Sequence, residues 1–308
     1  MVFDVRMGRM NKIGLVIIGD DQLSQHLDAI TAVQGIEVRG HPSTRLDGEN
    51  LQPSGHHTYI TALQDPNADA AVINTGAAER GYWIRQALEN GKHVIASPPI
   101  ARNYKETGEL LSLCKEKKRS LFLIYPAGWR KLKRLIRSFT SNKALGVVLA
   151  IDIKLDLPQR IVRDDNIGIV EGYFFECLNL IIEEGNPLDV VFSRTRTLAL
   201  NRPYEDWAWS QLRFKNGLEA TIHLNGLAER GNWVVDVYGL MGRVSYRHKW
   251  CGFDQAMLKC QYEEWIDAIK GGRSCGEEDY MSSRLAVEWI QQSARMDRPI
   301  IRKEVKLD

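Results

Sequence analysis

Residues 68–101 read ADAAVINTGAAERGYWIRQALENGKHVIASPPIA. Within this stretch, Ala70 to Asn74 and His93 to Ala96 are short apolar runs of the kind a sheet covered by helices on both faces demands. Tyr82 to Asn90 between them has helical texture, and Gly91 follows as a C-cap glycine before Lys92 leads into the next run. The stretch therefore predicts strand, helix, strand, with the two strands parallel. Working outward, Ile13 to Ile18, Ile36 to Arg39 and Leu121 to Tyr125 supply three further strands of the same sheet. Asn103 and Glu106 stand in capping-box spacing at the start of a helix over Tyr104 to Lys118.

Beyond about residue 125 the texture changes. A basic helix over Trp129 to Phe139 is followed by closely spaced alternating runs, which predict a mostly antiparallel sheet. Trp207 to Phe214 alternates bulky with small or polar residues, and Asn216-Gly217 then turns the chain into Glu219 to Leu224, a strong hairpin signal. The fold class expected is α/β, with a parallel-sheet domain covered by helices over 1–125 and a second, mostly antiparallel domain over 126–308. Two terminal helices, near Ala256 to Lys270 and Met281 to Arg295, are expected to pack back on the first domain.

Length and composition fit this division. A chain of 308 residues exceeds one ordinary core, and 41 Lys and Arg against 39 Asp and Glu give no basic excess for nucleic acid. Five scattered cysteines lack the paired spacing of a zinc or redox centre, so no metal is expected. No run reaches the about 18 to 20 apolar residues of a membrane helix, and a cytoplasmic setting with a loose N-terminal leader is the expectation.

In a doubly wound sheet, ligands bind beyond the carboxyl ends of the strands. Gly19-Asp20-Asp21-Gln22-Leu23-Ser24 follows the first strand, and of the G-x-G-x-x-G/A fingerprint it keeps only the first position. Asp21 brings a side chain and a negative charge where a glycine would let a diphosphate approach. After the second strand come His41, Ser43 and Arg45, with no acid to hold the ribose hydroxyls of NAD; Ser43 and Arg45 suit a 2′-phosphate, a weak preference for NADP. His56-His57 are expected in an exposed loop. Trp207 and Trp209 share one strand face, as a partner surface or as core.

Ala87-Leu88-Glu89-Asn90-Gly91-Lys92-His93-Val94, Glu205-Asp206 before a strand, Asn216-Gly217 and Gly239 to Gly242 together resemble the Gfo/Idh/MocA oxidoreductases along nearly the whole chain. The resemblance implies a Rossmann domain followed by an α/β domain with an open sheet, often buried in a dimer. It also adds Thr75, Gly76, Ser97 and Pro98 to the cofactor-binding positions. The family's Glu-Lys-Pro lysine falls on Pro98, and its helical Asp-x-Gly-x-His-x-x-Asp aligns with Glu176 to Glu183, where Leu180 takes the place of the histidine. Tyr125, at the end of the fifth strand, and Glu176, which the resemblance places in the substrate cleft, are the candidate proton donors. Arg130 and Lys131 are candidates for an anionic substrate or simply a solvated face.

The implied activity is a divergent NAD(P)-dependent oxidation or reduction of a small sugar, polyol or related carbonyl compound, by a homo-oligomer dimerised through the second sheet. Two alternatives stand beside it. One is a catalytically silent homologue serving as a ligand-binding, regulatory or assembly subunit; the other is a lysine-independent enzyme similar to bilin reductases.

Overall fold

The structure is a computed structural model that describes residues 12–20, 23–41, 55–126, 128–141, 144–164, 167–182, 187–199, 203–249, 254–270 and 277–302. The first half runs β1 (Ile13–Ile18), α1 (Leu23–Thr31), β2 (Ile36–Gly40), α2 (Gly55–Leu63), β3 (Ala70–Ile73), α3 (Ala77–Glu89), β4 (His93–Ala96), α4 (Tyr104–Lys117) and β5 (Leu121–Leu123). The second runs α5 (Trp129–Ser141), β6 (Val148–Pro158), α6 (Gln159–Asp164), a π-helical turn (Val170–Phe174), α7 (Phe175–Ile181), β7 (Leu188–Arg196), β8 (Trp207–Phe214), β9 (Glu219–Ala228), β10 (Asn232–Gly239) and β11 (Gly242–Lys249). It ends with α8 (Gln255–Lys270), α9 (Glu277–Met296) and β12 (Ile300–Ile301).

Contacts divide the chain into two compact units. The first comprises Met1–Ile100, Gly108–Ile124 and Phe253–Cys275, the second Ala101–Thr107, Tyr125–Gly252 and Gly276–Asp308. Of the two terminal helices, α8 therefore clusters with the first unit and α9 with the second.

In the first unit, β2-β1-β3-β4-β5 form one parallel sheet. Its strands β1, β3 and β4 are almost wholly buried, whereas the edge strand β2 leaves Arg39 exposed. Leu15, Ile17 and Val72 join Ala29 and Ile30 of α1 and Tyr262, Trp265 and Ile266 of α8 in one core. Helix α3 starts at Ala77, five residues before the periodicity marks it, because Ala77 and Ala78 extend the helix without adding bulk to its apolar stripe. Its end is as the sequence indicates. Gly91 takes φ +70°, its N–H donates to the Leu88 carbonyl, and the Lys92 N–H donates to Ala87, the paired bonds of a Schellman cap.

The Asn103 side chain accepts from the Glu106 N–H at 2.8 Å, opening α4. The Glu106 carboxylate reaches back to the Arg102 N–H rather than to that of Asn103. Within the second unit, α9 holds this segment: Arg284 donates to the Arg102 carbonyl, and Glu288 accepts from the Tyr104 N–H.

The second sheet runs β11-β10-β6-β9-β8-β7-β12, antiparallel except where β6 pairs with β9. The β8–β9 hairpin turns at Asn216-Gly217, with Gly217 donating to Phe214 and Phe214 to Leu218. One sheet face is buried; on β7 it packs against α9, where Ser293 accepts from the Ser193 N–H. The other face mixes Asp152, Lys154, Trp207, Trp209, Thr221 and His223 around a hollow of about 430 Å³. Trp207 and Trp209 thus lie on the outward face, and the core explanation for them is set aside. Residues 56 and 57 begin α2 and are helical, not looped. No described helix is long and apolar enough to cross a membrane.

Candidate functional site

The order β2-β1-β3 makes β1 the point at which the first sheet reverses its winding, so the crevice such sheets offer a ligand opens beyond β1 and β3. Parallel pairing of Ile18 with Ile73 brings Gly19 and Asn74 level at the carboxyl edge. Gly19 takes φ +93°, and a Cβ there would lie 2.3 Å from the Asn74 carbonyl oxygen and 2.7 Å from Thr75 Cγ2. Only glycine fits this turn, and its backbone is left bare for a ligand. Asp20 is exposed, and its carbonyl accepts from the N–H of Leu23, the half-buried first residue of α1.

Asn74 and Thr75 are each only 8% exposed, yet Asn74 Nδ2 and Thr75 Oγ1 have no hydrogen-bond partner. Buried polar atoms of that kind carry a cost that a bound polar group relieves. The cradle at Gly19 and these two atoms suit the polar middle of a dinucleotide, with Gly76 exposed beside them at the start of α3. His41 follows β2, on the side of β1 away from β3. Asp21, Gln22, Ser43 and Arg45 lie outside the described residues.

Ser97 and the buried Pro98 follow β4, and the Pro98-Pro99 peptide is cis. Arg80 ties this segment to the end of β3: its Nε and Nη2 donate to the Thr75 carbonyl at 3.2 and 2.8 Å, and its Nη1 donates to the Pro99 carbonyl at 3.0 Å. Sequence reasoning missed Arg80. On α2 nearby, burial and then the carboxylates of Asp20 and Glu79 weaken the acidity of Tyr59.

In the second unit, Trp129 joins both candidate proton donors. Tyr125 stacks on its ring with centroids 3.8 Å apart, and Trp129 Nε1 donates to the Glu176 main-chain carbonyl at 3.0 Å. Lys133, one turn on, lies 5.0 Å over the Trp129 ring and donates to Asn179 Oδ1 at 2.8 Å. The sequence reading weighed Arg130 and Lys131 of this helix but not Lys133, whose spacing from Trp129 was the available signal. Glu176, Asn179 and Leu180 are buried on α7. Cys177 is fully buried, and burial followed by the Glu176 charge pushes its thiol well up, which leaves no nucleophile there. Glu205 steadies the approach to this helix by accepting from the Val170 N–H, and Asp206 accepts from the N–H groups of Leu198 and Ala199.

Residues 21–125 match the profile of an oxidoreductase family with an NAD-binding Rossmann fold, Gfo/Idh/MocA. Over 94% of its length the chain superposes on 99% of myo-inositol 2-dehydrogenase from Lactobacillus plantarum, with TM-score 0.79 and 15% identity. The chain has the Gfo/Idh/MocA fold. The WlbA dehydrogenase of Bordetella pertussis, solved with NADH and UDP-GlcNAcA, shares this fold with TM-score 0.78 and 18% identity, over 97% of the chain and all of that structure. In sequence, the chain is 26% identical over 161 residues to a dTDP-3,4-didehydro-2,6-dideoxy-alpha-D-glucose 3-reductase from Streptomyces violaceoruber. That match takes in 51% of the chain and just under half, 47%, of the reductase. The Rossmann half of the Gfo/Idh/MocA fold carries Gly19, Asn74, Thr75 and Arg80, and its open-sheet half carries Tyr125, Trp129, Lys133 and Glu176.

Proposed function

We propose that this protein is a divergent NAD(P)-dependent oxidoreductase acting on a small sugar, polyol or related carbonyl compound. The carrying observation is the bare Gly19 turn beside the unpartnered Asn74 amide and Thr75 hydroxyl, at the point where the parallel sheet reverses. The reductase, inositol dehydrogenase and WlbA likenesses support the substrate class.

When bound, NAD(P)H supplies a hydride. The protein's part is to place the substrate and to move the accompanying proton, worth about 10²- to 10⁴-fold in rate. Pro98 and Leu180 replace the lysine and histidine that the family resemblance leads one to expect, so this reading gives the proton to Tyr125 or Glu176. Trp129 fixes the ring of Tyr125, and Lys133 brings a cation to the same indole. NADPH is favoured over NADH because residues 40 to 45, directly after β2, hold no acid. A cytoplasmic homodimer, paired through the outward face bearing Trp207 and Trp209, belongs to the same reading and is checked by sedimentation.

Titration of the purified protein with NADH and NADPH, followed by nicotinamide fluorescence, tests the proposal. Saturable binding is expected, and no binding at millimolar cofactor overturns it. Pro98 and Leu180, both buried and unable to move protons, favour a second reading, a silent ligand-binding homologue. Measurable turnover on any inositol or ketosugar refutes that alternative.

A further inference from the structure

We propose that Trp233 Nε1 and His248 Nε2 form a hydroxyl-binding subsite at the start of α5, which takes one hydroxyl of a polyol or sugar. The choice of ligand rests on the reading above, because it makes that hydroxyl part of the oxidoreductase's substrate. Strands β10 and β11 pair antiparallel, with Trp233 directly opposite His248. Side chains so paired stand on one face of a sheet, with Cβ atoms about 5 Å apart. That face is the buried one: Trp233, Val235 and Val237 alternate into it, and Trp233 is 1% exposed. Yet Trp233 Nε1 and His248 Nε2, both buried atoms, make no hydrogen bond among the described residues. Two such atoms on neighbouring positions carry a cost that one shared polar ligand relieves.

Gly128 seats the imidazole. It takes φ +82°, and a Cβ there would lie 2.4 Å from His248 Cδ2 and 2.5 Å from His248 Nε2. The ring edge that carries the unpartnered nitrogen therefore faces the turn between Tyr125 and Trp129, and a side chain on that turn would displace it. Tyr246, two residues back on β11, stacks beside the imidazole with centroids 6.3 Å apart and planes at 19°. The subsite thus adjoins the short segment that holds the candidate proton donor Tyr125 and the indole stacked on it.

Hydrogen-bond chemistry selects the ligand. An indole N–H only donates, whereas Nε2 donates or accepts according to the tautomer. A hydroxyl accepts from Trp233 and still serves His248 in either tautomer. A carbonyl oxygen cannot donate. A carboxylate or phosphate would bury its charge on a face where Leu155 is the other neighbour of Trp233.

The indole signal of Trp233, assigned through its own backbone in a proton–nitrogen correlation spectrum of the full-length protein, needs no variant to be read. Addition of myo-inositol or D-glucose to saturation is expected to move it downfield. Trp233→Phe and His248→Leu are each expected to raise Kd for the bound polyol about fivefold. His248→Gln, whose amide falls near the place of Nε2, is expected to restore the wild-type value. An indole signal that stays in place in saturating polyol, the result of water alone in the subsite, overturns the proposal. Equal Kd values for wild type, Trp233→Phe and His248→Leu do the same. NADH titration of the same sample separates the two readings: a wild type that binds NADH but neither polyol removes the subsite and leaves the cofactor reading intact, and one that binds none of the three removes both.

Discussion

Arg80 spends its guanidinium on two main-chain carbonyls, Thr75 at the end of β3 and Pro99 after β4. Replacement by methionine keeps the aliphatic stem and leaves both carbonyls without their charged donor. Arg80→Met is expected to lower the unfolding free energy by about 2 to 3 kcal/mol in urea titration. NADH affinity should weaken with it. The two glycines nearby separate backbone need from mere proximity. A methyl at Gly19 meets the Asn74 carbonyl in a left-handed turn, whereas one at Gly76 meets nothing within 4 Å. Gly19→Ala is therefore expected to cost about 3 kcal/mol and abolish NADH binding, while Gly76→Ala stays within about 0.5 kcal/mol of wild type, as calorimetry and fluorescence would show. A strand end followed by a turn points to Gly19 in the sequence, and the family resemblance points to Thr75. Arg80 was not legible there, since its partners are main-chain carbonyls that only the folded sheet edge brings near.

At the scale of elements, the strands of the parallel sheet and the end of α3 were readable because their signals are local: buried apolar runs and a glycine that must turn left-handed. The start of α3 at Ala77 and the helical state of residues 56 and 57 were not, because no cap or apolar stripe marks either. The α1–α8 pairing also lies beyond local signals. His26 of α1 and the Tyr262 hydroxyl of α8 meet at 2.7 Å, 236 positions apart in the chain. Burial pulls the His26 pKa down from 6.5 to about 4, so the folded state holds the ring neutral. Between those values the unfolded chain binds the proton and the folded one does not. Stability is full above pH 6.5, falls on acidification from 6.5 to about 4, and flattens below. The loss amounts to about 3 kcal/mol. His93, also drawn down to about 4 by burial and then by Arg119, adds to the slope. Urea midpoints across this range should show a shallower decline in His26→Asn than in wild type.

For the whole molecule, the important fact is that the first unit is not continuous in sequence. A boundary near residue 125 is where composition changes, and a sequence reader places it there, yet the contacts assign Phe253–Cys275 to the first unit. Tyr262, Trp265 and Ile266 fill the core against Leu15, Ile17 and Ile30. A fragment of residues 1–125 lacks those side chains, and truncating one buried tryptophan alone costs about 3 to 5 kcal/mol. Circular dichroism of that fragment should show no cooperative melting. The same fragment with residues 253–275 appended through a flexible linker is expected to melt cooperatively and, on the proposed function, to bind ADP-ribose.

The return of α8 also sets a timetable for birth on the ribosome. About 130 residues must be translated after β5 before the helix that roofs the Leu15 and Ile30 patch emerges, a delay on the order of 10 s at ordinary elongation rates. Through that interval the nascent sheet shows one greasy flank to solvent. A chaperone that grips aliphatic surface has its natural client there, and slowing synthesis across the open-sheet half should raise the insoluble fraction.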